Sequence, residues 1–302
     1  MAQEAVANQA AREIHLVHSG SARRARLIGR TVLYVVAVST AVFFMVPFIW
    51  AVFSSLKSPG EITSYPPRMF PTVWHPENYS MVFEKQPFGR WTSNTFFIAA
   101  LATLGAVLSS SIVGFSFARF RYPGRDLIFI ATLSTMMLPG EVTLIPLYIL
   151  FAKVNWLDSF KPLIIPSYFG GGAFLIFLMR QFFMTIPLDL DEAARIDGAG
   201  YLRVFAQIVL PLSVPALATA AVLTFIGEWS DFMTPFIFLN TKDKFTLAVG
   251  VRFFSQLADP DGRPTQHLLM ASSLMMTLPV IVLFFLAQGF FVRGIVMTGI
   301  KG

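Results

Sequence analysis

Six stretches of this chain are nearly free of charge and long enough to cross a hydrocarbon layer of about 30 Å, which takes about 20 mostly apolar residues in a helix. They run over 31–56, 91–118, 127 to about 152, 162–179, 204–227 and 268–292. The third is interrupted by Glu141, Pro139 and Pro146, and the fifth has a polar-tipped continuation to 239. A chain that is 55% hydrophobic and 13% charged, with a mean hydropathy of +0.64, is no soluble domain of comparable length. The expected fold class is an all-α integral membrane protein with six transmembrane helices.

Charge sets the expected orientation. Arg23, Arg24, Arg26 and Arg30 precede the first run, and Arg119, Arg121 and Arg125 crowd the short second loop. The positive-inside rule places both groups, and with an even number of helices both termini, in the cytoplasm. The net charge of +6 is spread over loops without a basic stripe, which argues against nucleic acid as a partner. The first apolar run exceeds a signal-peptide core and lacks a small-residue cleavage site after it, so it is expected to stay as a helix. Residues 1–26 are polar, Ala-rich and aperiodic and read as a mobile cytoplasmic tail, leaving 27–302 as one membrane domain. His15 and His18 share a helix face but have no further ligands, and the chain has no cysteine, so neither a metal site nor a disulfide framework is expected. Residues 57–90, rich in Pro, Tyr and Trp, read as an ordered outer loop.

Polar residues are tolerated in such a chain only outside the lipid or along an aqueous path, which singles out a cassette in the loop at about 184–209. Pro187 and Asp189 suit the opening of a helix, and Glu192 stands three residues after Asp189, as in a capping box. Ala193 and Ala194 favour helix, Asp191 and Arg195 are spaced as i,i+4 partners, and Gly198 permits a left-handed exit. The product is a short rigid helix with a small-residue face, fit either to enter a groove on another protein or to be an ordinary surface helix.

Glu192-Ala193-Ala194, then Gly198, Ile208 and Leu210-Pro211, fit at every position the cytoplasmic signature of permease subunits of binding-protein-dependent ABC importers. The segments 225–232, 246–250 and 294–302 resemble the maltose-type carbohydrate permeases, so the resemblance covers roughly 30–302. It implies that Glu192, Ala193, Ala194, Asp197, Gly198 and Ala199 form a coupling helix seated in a cleft of a separate ATPase, with Lys301 in a tail near that interface. It further implies a multi-pass protein of the bacterial inner membrane, working with a second, homologous permease subunit, two ATP-binding cassette subunits and an extracytoplasmic solute-binding protein. The cargo implied is a sugar, an oligosaccharide or a related polyol. Pro211 and Pro215, by freeing backbone carbonyls, would shape how the fifth span transmits the movement.

The chain lacks the Gly-rich phosphate loop with its Gly-Lys-Ser/Thr ending, so ATP and Mg are expected in the partner subunits and no cofactor in this chain. No nucleophile elbow, metal-ligand spacing or paired carboxylates with a histidine partner speaks for an enzyme. Polar groups at membrane depth are the substrate-path candidates: Asn94, Glu141, Glu228, Trp229, Ser230 and Asp231. Trp229 suits stacking on a sugar face or an interfacial belt, and Asn94 suits a helix–helix hydrogen bond. Gly170-Gly171-Gly172 reads as a flexible or closely packed point in the fourth span. Three other readings stay open: an importer of glycerol phosphate or another non-carbohydrate solute, an ion-coupled secondary transporter, and a scaffold that only recruits a partner.

Overall fold

Ala102, Ala106, Ser110 and Gly114 recur every four residues on the helix Phe88–Arg119 and are all buried, so this helix lets its neighbours approach closely. A methyl group at Gly114 would lie 2.9 Å from the Met179 Cβ and 3.1 Å from the Arg180 backbone nitrogen. The computed structural model describes the backbone of residues 2–258, 262 and 264–296, with side chains described within 27–289. In chain order the elements used below are α1 (Ala2–Ser55), α2 (Asn78–Lys85), α3 (Phe88–Arg119), α4 (Arg125–Ser134) and α5 (Gly140–Lys153). They are followed by α6 (Ala173–Thr185), α7 (Leu188–Ile196), α8 (Val214–Ser230), α9 (Leu247–Phe254) and α10 (Gln266–Val296). Short helical turns join them, and among the described residues the only β feature is one isolated bridge, Ala258–Pro264.

The small-residue helix α3 is the hub, packed along α6 and α8, while α10 packs on α8 and α1. Four segments are long and apolar enough to cross a membrane: Leu27–Ser55, Phe88–Arg119, Lys161–Thr185 and Gln266–Gly289. Two more pass only as bent pairs, Arg125–Met137 with Gly140–Lys153 at 98° and Tyr201–Leu212 with Val214–Ser230 at 78°. These correspond to the expected third and fifth spans. The first break falls at Leu138-Pro139, the second at Ser213 between Pro211 and Pro215. A proline has no N–H to give and its ring crowds the carbonyl four residues back, so both breaks have a local cause. The chain before Pro211 is also loosened, with a π-helical turn over Phe205–Val209, and the Ser213 hydroxyl donates to the Val209 carbonyl at 2.6 Å.

Three segments bear on the expectations, and one expectation needs correction, that the fifth span runs on past Asp231. The backbone of residues 2–26 is helical and runs on into Leu27–Ser55. The polar-tipped continuation of the fifth span does not continue α8. The chain turns extended at Asp231, whose Oδ1 accepts the Thr234 amide at 3.3 Å and opens a separate helix, Met233–Phe238. The triple glycine interrupts the fourth span and is closely packed, as expected, because Gly171 has φ +66° and a Cβ there would strike the Ala106 carbonyl.

One end of the bundle is tied by polar contacts. Asn78 donates to the carbonyls of Ser55 at 2.8 Å and Lys57 at 3.0 Å, which fastens α2 to the end of α1. Lys57 is 1% exposed, its ammonium 4.4 Å from the Trp50 ring and donating to the Arg68 carbonyl at 2.6 Å. The segment expected to be an ordered outer loop is thus ordered by its own side chains.

Candidate functional site

At the opposite end, α7 presents the cassette. Pro187 precedes its first residue, Asp189 and Asp191 lie in the first turn where the helix dipole favours anions, and Arg195 lies in the last. No side chain caps the first turn, so the expected Asp189–Glu192 capping box is not formed. The expected Asp191–Arg195 pair is not formed either. Asp191 turns inward to the end of α3, where its Oδ2 is 2.8 Å from Arg119 Nε with both side chains largely buried. Arg119 Nη2 also donates to the Ile186 carbonyl at 3.1 Å. Arg195 instead sits 5.0 Å from the centre of the Tyr201 ring. A distant partner won because burial rewards a pair more than an exposed helix surface does.

Gly198 does make the left-handed exit, with φ +83°. Its amide donates to the Arg195 carbonyl at 3.0 Å, and the Ala199 amide to the Ala194 carbonyl at 2.9 Å. These two bonds are the Schellman closure of a helix end, with Ala194 and Ala199 as its apolar contact. Asp191, Ala194 and Ala199 therefore face the bundle, where Phe183, Val204 and Phe205 pack. Glu192, Ala193, Asp197 and Gly198 face outward. Beside them Ile196 and Leu202 are 87% and 85% exposed. A cleft of about 680 Å³, lined by Arg119, Arg121, Asp191, Glu192, Arg195 and Tyr201, runs along the helix.

Burial pushes the Asp191 carboxyl above its ordinary value, Arg119 pulls it back down, and Glu192 adds a further push. The sequence reading missed this anchor because Arg119 was absorbed into the charge bias that sets orientation. A basic residue at the very end of an apolar run, opposite an acidic first turn, was the available signal.

The substrate-path candidates fall apart. A cavity of about 790 Å³ lies between α3, α8 and α10, bordered by Thr92, Ser93, Phe96, Phe225, Trp229 and Pro279 among others. Of the six candidates, Trp229 alone lines it. Trp229 is 2% exposed, stacks on Phe225 at 5.7 Å and donates Nε1–H to the Met276 carbonyl at 3.0 Å. There it packs between α8 and α10 at the border of the cavity. Asn94 donates to the carbonyls of Asp243 at 2.8 Å and Phe245 at 3.0 Å, in the short turn that precedes α9. Glu141 is exposed in the first turn of α5, Glu228 is half-buried, Ser230 is exposed and Asp231 serves the turn described above. Lys301 lies outside the described residues.

At the end away from α7, Asp158 was not foreseen. Its carboxylate accepts the amides of Asn240 at 3.0 Å and Thr241 at 2.9 Å, the Thr241 hydroxyl at 2.6 Å and the Lys244 ammonium at 2.8 Å.

Residues 110–297 match the family described as "Binding-protein-dependent transport system inner membrane component". The chain is 30% identical over 288 residues to the probable ABC transporter permease protein YurM of Bacillus subtilis, covering 95% of this chain and 94% of that protein. It is 31% identical to the maltodextrin transport system permease protein MdxG of the same organism, covering 93% of this chain and 100% of that one. It is 37% identical over 231 residues to the sn-glycerol-3-phosphate transport system permease protein UgpE of Yersinia pestis, covering 76% and 80%. Among solved structures, a chain of a bacterial ABC transporter involved in alginate import superposes with a TM-score of 0.77 at 24% identity, covering 88% of this chain and 97% of that one.

Proposed function

The chain belongs to the family of binding-protein-dependent transport system inner membrane components, and from that premise we propose that it is the permease subunit that carries a sugar or oligosaccharide into a bacterial cytoplasm. It is a transport component and not an enzyme. In this reading each bent pair counts as one span, giving six spans, both termini and α7 lie on the cytoplasmic side, and the membrane is the bacterial inner membrane. Residues 1–26 are the cytoplasmic tail that precedes the membrane domain. The partners are a second, homologous permease, two ATP-binding subunits that hold ATP and Mg, and an extracytoplasmic binding protein.

One observation carries the coupling role: α7 is locked to the end of α3 by Arg119–Asp191 while Glu192, Ala193, Asp197 and Gly198 face outward beside the exposed Ile196 and Leu202. A helix so anchored moves as one piece with the bundle. A push on its outer face by an ATPase passes through the 205–213 segment to α8, where the π-turn and the bend at Ser213 give the backbone room to rotate. The maltodextrin permease among the relatives supports carbohydrate as cargo.

A second reading has its own support, since the glycerol-3-phosphate permease is the more identical relative over the stretch it matches. Purification of the tagged chain from its native membranes in mild detergent, with the retained proteins identified, tests the assembly. Uptake of labelled maltodextrin and of labelled glycerol 3-phosphate by vesicles containing the recovered complex then decides the cargo. Recovery of the chain alone, with neither solute moved on ATP addition, overturns the proposal.

A further inference from the structure

Arg180 is a cation inside the segment Lys161–Thr185 that takes no part in the anchoring of α7. It stands five residues before the end of α6, about 7.5 Å at 1.5 Å per residue, and so at the depth where the hydrocarbon gives way to headgroups. Its backbone is pressed against Gly114 of α3, and its side chain reaches to α4, where the guanidinium lies 4.2 Å from the centre of the Phe129 ring. There Nε is buried without a hydrogen-bond partner.

The neighbouring charges do not answer it. Asp126 interacts electrostatically with Arg180, but it is engaged at 2.8 Å by Arg125, which also donates to the Phe120 carbonyl at 3.2 Å. The surrounding surface of α4 is lipid-like, with Leu127, Ile128 and Ile130 all more than half exposed. A guanidinium at such a depth, half-buried and without a hydrogen-bond acceptor among the described residues, calls for an anion on the edge that is not enclosed, and its planar fork fits a phosphate. We propose that Arg180, seated on Phe129, binds the phosphodiester of an anionic phospholipid in the leaflet on the α7 side. Phe129 holds the guanidinium plane from one side, and the acyl chains lie along the exposed face of α4.

The test uses the assembled complex in nanodiscs of phosphatidylglycerol or of phosphatidylcholine. Phenylglyoxal modification of Arg180 is followed by peptide mass spectrometry and normalised to the exposed Arg121. The expected result is modification about fivefold slower in phosphatidylglycerol, the preference of one arginine for an anionic surface, and unchanged in phosphatidylcholine on adding inorganic phosphate. Equal rates in the two lipids overturn the proposal and point to a protein carboxylate or to no ligand, and protection by inorganic phosphate overturns the lipid source. In parallel, Arg180→Gln should lose phosphatidylglycerol retained through purification, with Arg180→Lys keeping part of it and Arg90→Gln all of it. Undiminished retention in Arg180→Gln counts against the site, and if that variant fails to assemble, the modification rates on the unaltered chain decide alone.

Discussion

Arg119 Nε and Asp191 Oδ2 lie 2.8 Å apart at the end of α3, with the arginine side chain 4% and the aspartate side chain 13% exposed. Breaking such a pair leaves a buried charge without a partner, which costs about 3–5 kcal/mol, whereas replacing both members by apolar groups is often near neutral. Arg119→Met is therefore expected to lower the thermal midpoint of the purified complex sharply, and Arg119→Met with Asp191→Leu to restore most of it. The double variant should remain folded while its ATPase activity responds less to transport substrate, because α7 is then held by packing alone. A double variant no more stable than Arg119→Met removes the pair from its anchoring role.

The same pair fixes a pH dependence. Burial raises the Asp191 carboxyl above the ordinary 3.8 despite Arg119. A raised folded-state value makes its contribution to stability complete below the unfolded value and lost as pH rises through the folded one. Asp191→Asn keeps an acceptor for Arg119 and sheds the charge, so stability measured from pH 4 upward should fall less steeply in the variant, by about the range over which carboxylates titrate. Parallel curves for the two proteins refute the assignment.

At Gly198 the constraint is the backbone and not space, since φ is +83° and a Cβ would meet nothing within 4 Å. Gly198→Val should cost about 1–2 kcal/mol at this one helix end, from the left-handed strain of a branched residue. Assembly with the ATPase should survive, and the coupling of ATP hydrolysis to uptake should drop. Full coupling in a variant shown to be assembled would sink the lever reading of α7.

Asp158 gives the opposite sign. Burial pushes its carboxyl up, but the Lys244 ammonium, the Thr241 hydroxyl and the amides of Thr241 and Asn240 pull harder and leave it well below the ordinary 3.8. A depressed value contributes stability that is full above the unfolded value and is lost as pH falls below it. Asp158→Asn should therefore weaken the complex near neutral pH and converge with the unaltered chain on acidification. Hydrogen exchange of the 240–244 amides reads this directly, and a constant gap between the two proteins at every pH would contradict it.

What sequence makes legible here is whatever chemistry is local. Apolar runs of bilayer length locate the helices because lipid forces every backbone group to pair within its own segment. Gly198 and the alanines around it announce a helix end for the same local reason. The pairs Arg119–Asp191, Asp158–Lys244 and Asn94–Phe245 were hidden because each joins residues far apart in the chain. For Trp229 the sequence shows a tryptophan beside three polar residues but not the Met276 carbonyl that takes its Nε1–H, which is 47 residues away. The bends at Pro139 and Ser213 lay between: the prolines mark where a helix fails, but they do not give the angles of 98° and 78°.

Trp91 and Gly250 supply the last case. The Trp91 ring is fully buried, its Nε1 donates to the Lys242 carbonyl at 2.9 Å, and it rests on α9 at Gly250, where any Cβ would collide with the ring. The ring is hemmed in further by Phe254, one turn along α9 from Gly250, buried edge-on to it at 6.5 Å between centroids. Gly250→Ala should therefore overpack this contact at a cost of about 1–3 kcal/mol. Exchanging Trp91 for the smaller Phe should relieve the collision, although it forfeits a hydrogen bond worth about 1 kcal/mol. Gly250→Ala combined with Trp91→Phe is accordingly expected to be more stable than the two separate losses add up to, and strict additivity in thermal midpoints would mean that the two residues do not share this contact.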